Sequence, residues 1–276
     1  MANALIALIQ PACGGEAISQ AHQGVLSALR DTGLALCLFE GEAGSGYLLD
    51  DLRRFLELHR PKGVILLPPL SAVAGIAELC REAGCRPIRL TPDALDGSAL
   101  SLCSNDRQAA ADMTQYLIAL GHQRIGFVAG SEADRAARER ELGYLDALAT
   151  QGLDRGANLV AESDGSFASG QAAGHLLLEV SPRPTAIFAA SDELAAGVLH
   201  AAHEQGISVP LKLSVAGFGD SPVASQIWPQ LTSMRLPFGE MGFAAAIELI
   251  TSEAAVPQPV EFFGSLVRRS STGPVV

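Results

Sequence analysis

Short apolar runs alternate with amphipathic segments along most of the chain. Runs of roughly four to eight apolar residues are typical of strands buried on both faces, and apolar residues three and four positions apart are typical of helices. The predicted buried strands are 4–9, 34–39, 63–68, 124–130, 185–190 and 213–218. The predicted helices are 17–31, 47–59, 134–150, 169–180 and 192–205.

The order of these elements indicates a chain in two parts. A strand, a helix and a second strand form the repeating unit of a parallel sheet that helices cover on both faces. One such series restarts near residues 120 and 121, where a predicted helix runs directly into a strand. A length of 276 residues also suits two domains of moderate size. The sequence therefore predicts an α/β fold with two doubly wound parallel-sheet lobes.

Composition and charge narrow the class of protein. The chain is 48% hydrophobic and carries a formal net charge of -11, which opposes binding to the phosphate backbone of nucleic acids. No run approaches the roughly 18 apolar residues of a membrane span, and the N-terminus lacks the positive charge of a secretory signal. The five cysteines form no CxxC pair. We therefore expect reduced thiols in a cytoplasmic protein without a metal site.

Sequence motifs of enzymes are not found. The segment GFGDS (217–221) lacks the spacing of a nucleophile elbow, and GEAGSGY (41–47) lacks the lysine of a phosphate-binding loop. His200 and His203 share one face of a predicted helix, but no carboxylate completes a metal site, so we interpret them as solvated. The sequence predicts a protein that is not an enzyme and uses no cofactor.

One arginine lies on a helix face that offers it no acid. Arg138 has Asp134 and Glu141 within helical reach. The residues three and four positions from Arg140 are all uncharged, so Arg140 needs a partner from elsewhere, because an unpaired guanidinium on an apolar face is costly. Two partners fit the spacing equally well: a carboxylate on another element, or a ligand whose hydroxyl or carboxylate the planar guanidinium binds.

Further polar residues directly follow predicted strands. Ser191 and Asp192 come after the strand 185–190 and begin a helix. We expect one of them to cap the helix N-terminus and the other to face a ligand crevice. Phe218 ends the next strand and leads into a turn at Asp220. Carboxyl ends of parallel strands meet at one edge of a sheet, where open α/β sheets bind ligands, so this edge is the predicted binding site.

In their order and spacing, these segments resemble the effector-binding module of the lac-repressor/gal-repressor (LacI/GalR) family of bacterial transcription regulators. The resemblance covers nearly the whole chain and includes LIALGHQRIGFVAG (117–130), ARERELGYLDAL (137–148) and VRRSST (267–272). Its most specific part is PTAIFAASDELAAGVLHAAHEQGISVPLKLSVAGFGD (184–220). PQLTSMRLPFGEMGFAAAIELI (229–250) also belongs to it.

The resemblance implies a fold and an activity. The fold is a pair of periplasmic-binding-protein-like lobes of type I with three chain crossings, 1–120 plus 237–257 and 121–236 plus 258–276. It also implies a small effector clamped between the lobes, with binding transmitted to operator DNA through an N-terminal helix-turn-helix. The chain begins just before its first strand, so we expect that DNA-reading segment to be absent. The family further implies a homodimer and no membrane partner.

Carried over by position, the resemblance assigns Arg140 as the arginine that grips the effector. Phe218 matches the aromatic residue that precedes the acidic effector ligand. Gly219 stands where the family commonly has that aspartate, and Asp220 lies one position later. The sequence therefore lacks the usual carboxylate at this point of the site.

Six more positions match family effector contacts, and several have lost the usual side chain. Two family aromatics near the start are replaced by alanine and isoleucine, a frequent asparagine by serine, and a frequent glutamine by leucine. These positions are Ala17, Ile18, Ser191, Asp192, Leu236 and Phe238. The losses favour an effector that is smaller or less hydroxylated than a hexose and is still held by Arg140.

Two other functions stay open at this point. A solute-binding protein of an ABC-type transporter has the same two-lobe fold, but it needs an export signal, which the N-terminus does not show. An α/β enzyme that uses a nucleotide would need a dinucleotide fingerprint and a base or nucleophile, and none is identifiable.

Overall fold

The structure, a computed structural model, describes residues 5–12, 15–153, 156–252 and 258–275. Its strands are β1 (Leu5–Pro11), β2 (Ala35–Gly41), β3 (Gly63–Leu66), β4 (Arg86–Thr91), β5 (Leu100–Cys103), β6 (Ile125–Val128), β7 (Val160–Ala161), β8 (Ala186–Ala189), β9 (Ser214–Phe218), β10 (Thr232–Arg235), β11 (Val260–Glu261) and β12 (Ser265–Val267). Its helices are α1 (Glu16–Leu29), α2 (Leu48–His59), α3 (Ile76–Glu82), α4 (Asp106–Ala119), α5 (Arg135–Thr150), α6 (Phe167–Glu179), α7 (Asp192–Glu204), α8 (Pro222–Gln226) and α9 (Phe238–Thr251). Short 3-10 turns lie at Leu70–Ala72 and Ala157–Leu159. Each predicted strand and helix is present, with ends shifted by a residue or two.

The chain forms two compact units and crosses between them three times. Unit 1 comprises Met1–Ser104 and Pro237–Phe262, and unit 2 comprises Asn105–Leu236 and Phe263–Val276. Each unit has a mainly parallel sheet with helices on both faces, which confirms the predicted fold class. Residue 4 of the first predicted strand, and residues 1–4, 13–14, 154–155, 253–257 and 276 of the predicted lobes, lie outside the described residues.

The divisions between the units differ from those expected at 120/121 and 257/258. They fall at 104/105 and 262/263. Helix α4 belongs to unit 2 because it packs along α5. Strand β11 belongs to unit 1 because it pairs with β5, with Val260 opposite Leu102.

The sheet of unit 1 has the strand order β11-β5-β4-β3-β1-β2, and its described strand pairs are parallel. The central strands are buried on both faces, one apolar cluster lying under α1 and α9 and the other under α2 and α3. Strand β2 was predicted to be buried on both faces, but several of its residues are exposed. The reason is its position at the sheet edge, where β1 is its one partner among the strands that the structure describes.

Helices α1 and α9 of unit 1 pack closely because two glycines remove side chains at their contact. A Cβ on Gly24 would collide with the carbonyl oxygen of Gly239. A Cβ on Gly242 would collide with the carbonyl oxygen of Ala21. The two backbones therefore approach more closely than larger residues would allow, and α9 is an integral part of the unit 1 core.

The sheet of unit 2 has the strand order β12-β10-β9-β8-β6-β7, in which only the β10–β12 pair is antiparallel among the described strands. Aromatic rings fill one side of this sheet: the centroids of Phe127 and Tyr144 lie 4.8 Å apart, and those of Phe127 and Phe188 lie 5.3 Å apart. Strands β6, β8 and β9 run side by side in parallel, so their carboxyl ends share one edge. That edge carries the candidate site.

A buried histidine ties several segments of unit 2 together. His122 Nδ1 lies 2.9 Å from the Thr185 hydroxyl, and its Nε2 lies 3.0 Å from the Ser214 hydroxyl and 3.1 Å from the Gly273 carbonyl. Burial lowers the pKa of His122 below its usual value, and the Gly273 carbonyl partly offsets this effect. The imidazole therefore joins the start of β9 to the C-terminal segment in its neutral form.

Candidate functional site

Arg140 is held in place by contacts on three sides, all within unit 2. Its Nε donates a hydrogen bond to Asp106 Oδ2 at 2.8 Å, and its Nη1 donates one to the Ala190 carbonyl at 2.8 Å. Its Cζ lies 4.3 Å from the centre of the Phe218 ring, which is the distance of a cation–π contact. Of the two partners that the sequence left open, the structure shows a carboxylate on another element.

These contacts leave one nitrogen of the guanidinium, Nη2, available. The Arg140 side chain is 15% exposed. Among the described residues, its Nη2 donates no hydrogen bond, whereas Nε and Nη1 both do. A planar guanidinium fixed through Nε and Nη1 holds Nη2 in a defined direction, so an oxygen acceptor at Nη2 would meet a preorganised donor.

Asp106 is positioned by the packing of α4 against α5. It is the first residue of α4, follows Asn105 in the left-handed conformation (φ 54°), and its side chain is 1% exposed. The two helices approach closely where a Cβ on Gly143 would collide with the Arg107 carbonyl. A second ion pair between the same helices, Arg107 Nε to Asp146 Oδ2 at 2.6 Å, lies at the surface.

Ser191 and Asp192 have different roles at the start of α7. The Ser191 hydroxyl caps the helix by accepting a hydrogen bond from the Leu194 amide at 3.2 Å. The other residue of the pair, expected to face a crevice, is therefore Asp192, but its carboxylate is buried and accepts hydrogen bonds from the Ser233 hydroxyl and the Ser221 amide, both at 2.6 Å. Burial raises the pKa of Asp192 above its usual range, and these hydrogen bonds partly offset that effect.

Asp220, in the turn after β9, is engaged by two arginines of unit 2. Its Oδ2 accepts a hydrogen bond from Arg235 Nε at 2.7 Å. Its Oδ1 lies 2.6 Å from Arg269 Nη2, an ion pair whose angle is not that of a hydrogen bond. Both carboxylate oxygens are therefore occupied within the protein, and Asp220 does not replace the aspartate that Gly219 lacks.

The remaining predicted positions divide between the units. Leu236 is buried and is the last residue of unit 2 before a crossing. Ala17 and Ile18 lie in the first turn of α1, and Phe238 begins α9. Ile18 and Phe238 pack against the core of unit 1. In unit 2 the structure brings Arg140 and Phe218 together, while Ser191 and Asp192 serve the start of α7.

Sequence reasoning missed the partners of the charged residues. Asp106 binds Arg140, Ser233 binds Asp192, and Arg235 and Arg269 bind Asp220. The sequence analysis gave these two arginines and Ser233 no role of their own. Asp106 did carry a signal, because it begins a helix shortly after the strand β5, just as Asp192 follows β8. The same rule applied to both positions would have selected it.

Two other kinds of feature, a metal-binding cluster and a membrane-crossing helix, are not found in the described ranges. No group of three or more His, Cys, Asp or Glu side chains in those ranges is arranged to hold a metal ion. Nor does any helix there have the length and apolar character of a membrane-crossing segment.

Comparison with known proteins shows which class of protein has this sequence pattern. Residues 114–272 match the profile of the periplasmic binding protein-like domain. The chain is 30% identical over 244 residues to the HTH-type transcriptional regulator AscG of Escherichia coli (strain K12), covering 87% of this chain and 72% of that relative. It is 32% identical to the HTH-type transcriptional regulator CelR of Thermobifida fusca, covering 85% of this chain and 69% of CelR.

Other relatives match over a smaller share of their length. The catabolite control protein A of Priestia megaterium is 39% identical over 145 residues, which are 52% of this chain and 43% of that relative. Among solved structures, the CelR–cellobiose complex superposes with a TM-score of 0.85 at 28% identity, covering 97% of this chain and 84% of that chain. The Escherichia coli repressor AscG superposes with a TM-score of 0.83 at 27% identity, covering 98% and 99%.

These similarities first define a periplasmic-binding-protein-like domain with two α/β units. The agreement in sequence with AscG, CelR and catabolite control protein A, and in fold with AscG and CelR, then identifies the particular group: the chain belongs to the LacI family of transcriptional regulators. The resemblance stated from the sequence is confirmed. These relatives are regulators and not enzymes or transport proteins.

Proposed function

We propose that this domain senses a small-molecule effector that binds at the carboxyl edge of the unit 2 sheet. Arg140 is the principal hydrogen-bond donor to that effector. The observation that carries the proposal is the fixed guanidinium, held by Asp106, Ala190 and Phe218, with its Nη2 nitrogen still available. A donor that is already oriented loses little conformational entropy when it binds a ligand.

The effector is smaller or less hydroxylated than a hexose. The solved structure of the transcriptional regulator CelR, 28% identical to this chain, is a complex with cellobiose. In this chain Gly219 provides no side chain and Asp220 is already bound by two arginines, so the edge offers fewer acceptors for sugar hydroxyls. Arg140 provides donors only, which favours ligands that present carbonyl, ether or hydroxyl oxygens.

Regulation of transcription is the proposed consequence of effector binding. The relatives are transcriptional regulators, and the proposed path runs from effector binding through a change in the two units to operator DNA held by a helix-turn-helix segment. A homodimer in the cytoplasm is the assembly proposed for this activity. A solute-binding role in transport is less favoured, because the relatives named above are regulators.

Isothermal titration calorimetry with a panel of pentoses, polyols, nucleosides and short uncharged metabolites tests the proposal. Arg140→Lys keeps a cation beside Asp106 but loses the planar edge. We expect at least one compound to bind the unaltered protein and to lose about 10- to 100-fold in affinity with Arg140→Lys, because hydrogen bonds from charged groups contribute roughly 1.5–3 kcal/mol. Asp146→Asn, at an exposed position of the same helix, is the matched control and should bind normally. Equal affinity of Arg140→Lys and the unaltered protein would rule out the role given to Arg140.

A further inference from the structure

The geometry points to Asp106 as a specificity-determining residue: by neutralising Arg140, it makes the site select uncharged ligands over anions. This inference rests on the proposed function, because it concerns the ligand that Arg140 binds. Nothing in the sequence pattern had assigned Asp106 a role. Its position, first in α4 and buried against Arg140, is what the structure adds.

The first step in the argument is the burial of both charges. The Asp106 side chain is 1% exposed and that of Arg140 is 15% exposed, so solvent screens their interaction only weakly. An anion bound at Nη2 would lie within a few ångströms of the Asp106 carboxylate, across the same guanidinium. Its attraction to Arg140 would be offset by repulsion from Asp106, whereas an uncharged oxygen acceptor would meet no such repulsion.

The second step concerns the other charges at this edge of unit 2. Among the described residues beside Arg140, each arginine faces a carboxylate: Arg140 faces Asp106, and Arg235 and Arg269 both face Asp220. Further along the edge, Arg138 lines a pocket with the acids Glu132, Glu141 and Glu162. Removal of the Asp106 charge therefore exposes Arg140 as an uncompensated cation.

The third step distinguishes the neutralisation of Arg140 by Asp106 from a role limited to joining α4 to α5. Arg107 and Asp146 already join α4 to α5 by an ion pair with both side chains about half exposed. That pair does not touch Arg140, so it provides a matched control: the same two helices and the same types of residue, but at the surface. A role limited to joining the helices predicts similar effects from either aspartate.

Inorganic sulfate is the probe, because it tests for an anion site without knowledge of the effector. Melting temperature is measured against sodium sulfate and against sodium chloride at equal ionic strength, in the unaltered protein, Asp106→Asn and Asp146→Asn. Asn still offers an oxygen to Arg140 Nε but carries no charge. We expect a saturable rise in melting temperature with sulfate only for Asp106→Asn, above the non-saturating stabilisation that sulfate gives to all three proteins. A sulfate response of Asp106→Asn equal to that of the unaltered protein would overturn the inference.

Two further measurements keep the test decisive. The double variant D106N/R140Q should lose the saturable response, because the anion would have no cation to bind; its retention in the double variant contradicts the assignment. If Asp106→Asn does not fold, the unaltered protein and Arg140→Gln are compared. Equal sulfate responses support neutralisation of Arg140, and a saturable response confined to the unaltered protein refutes it.

The outcome can be told apart from failure of the proposed function. If the metabolite panel yields no ligand but Asp106→Asn gains the sulfate response, the charge role of Asp106 stands and the sensing proposal fails. Where an uncharged ligand is found, its carboxylic acid analogue gives a second readout. We expect the affinity ratio of acid to uncharged ligand to rise about tenfold in Asp106→Asn and to stay unchanged in Asp146→Asn.

Discussion

Each unit of the molecule contains a buried arginine, and the two are stabilised differently. In unit 1, Arg89 on β4 is 3% exposed and donates from Nη1 to Asp96, whose side chain is 68% exposed. Its buried Nε makes no hydrogen bond among the described residues. In unit 2, Arg140 has two acceptors and an aromatic ring, and its carboxylate partner is buried.

The difference shows that burial of an arginine does not by itself mark a ligand site. Asp96 also accepts a hydrogen bond from the Ser98 amide, so the Arg89 pair anchors the loop between β4 and β5. Hydrogen bonds from Ser98 and then from Arg89 hold the pKa of Asp96 at about 2. Arg89 therefore holds a loop in place. Arg140, in contrast, is oriented by Asp106, Ala190 and Phe218 and keeps its Nη2 available.

The largest expected effect comes from removal of the buried partner in unit 2. Asp106→Ala leaves the Arg140 guanidinium without its carboxylate, so we expect the free energy of unfolding of unit 2 to fall by about 3 kcal/mol or more. Asp146→Ala breaks the surface pair between the same helices and should cost about 0–1 kcal/mol. Hydrogen exchange of amides in α4 and α5 measures the loss of stability in each of the two variants. Equal losses in the two variants would show that burial of the pair does not matter.

A smaller effect is expected from the corresponding change in unit 1. Asp96→Ala removes the partner of Arg89, but the exposed carboxylate is screened by solvent, so we expect a loss of about 1–2 kcal/mol. In the double variant R89M/D96A no buried charge remains at this site, and stability should return close to that of the unaltered protein. Unfolding by denaturant, monitored through hydrogen exchange of the amides in β4 and β5, distinguishes Asp96→Ala from the double variant. A double variant no more stable than Asp96→Ala would contradict this account of Arg89.

The smallest effect concerns pH and is assigned to unit 2. The pKa of His122 is lowered in the folded state, so the unfolded chain binds its proton more readily. Stability is therefore fully present above the unfolded pKa of about 6.5 and is lost as pH falls below it, by at most about 1.4 kcal/mol per pH unit. Unfolding measured at several values between pH 7.5 and 5.5 should show this slope in the unaltered protein and a shallower one in His122→Gln. Identical slopes would assign the pH dependence to other groups.

The sequence predicted the buried strands well and the polar strands poorly. Apolar runs identified β1, β3, β6, β8 and β9 because each is covered on both faces. Strand β4 was not predicted, because Arg86, Pro87 and Arg89 interrupt its apolar pattern. The burial of β2 was overstated, since the order of strands in a sheet, and hence which strand lies at the edge, depends on tertiary pairing.

The candidate site was predicted only in part, because its contacts also depend on tertiary packing. Local spacing showed that Arg140 lacks an acid on its own helix, and strand ends placed Phe218 near the predicted edge. The identity of the partner depends on the packing of α4 against α5, which local spacing does not encode. Asp192 and Asp220 follow strands as ligand-binding residues do, yet their carboxylates are consumed by Ser233 and Arg235 of the adjacent strand β10.

The close packing of α1 and α9 has a consequence for synthesis on the ribosome. Helix α9 belongs to unit 1 but lies in the segment Pro237–Phe262, which is translated after Asn105–Leu236 of unit 2. The apolar face of α1 and one side of the unit 1 sheet therefore stay uncovered while most of unit 2 is made. A nascent chain released after residue 236 would expose that face, which makes premature termination there a route to aggregation.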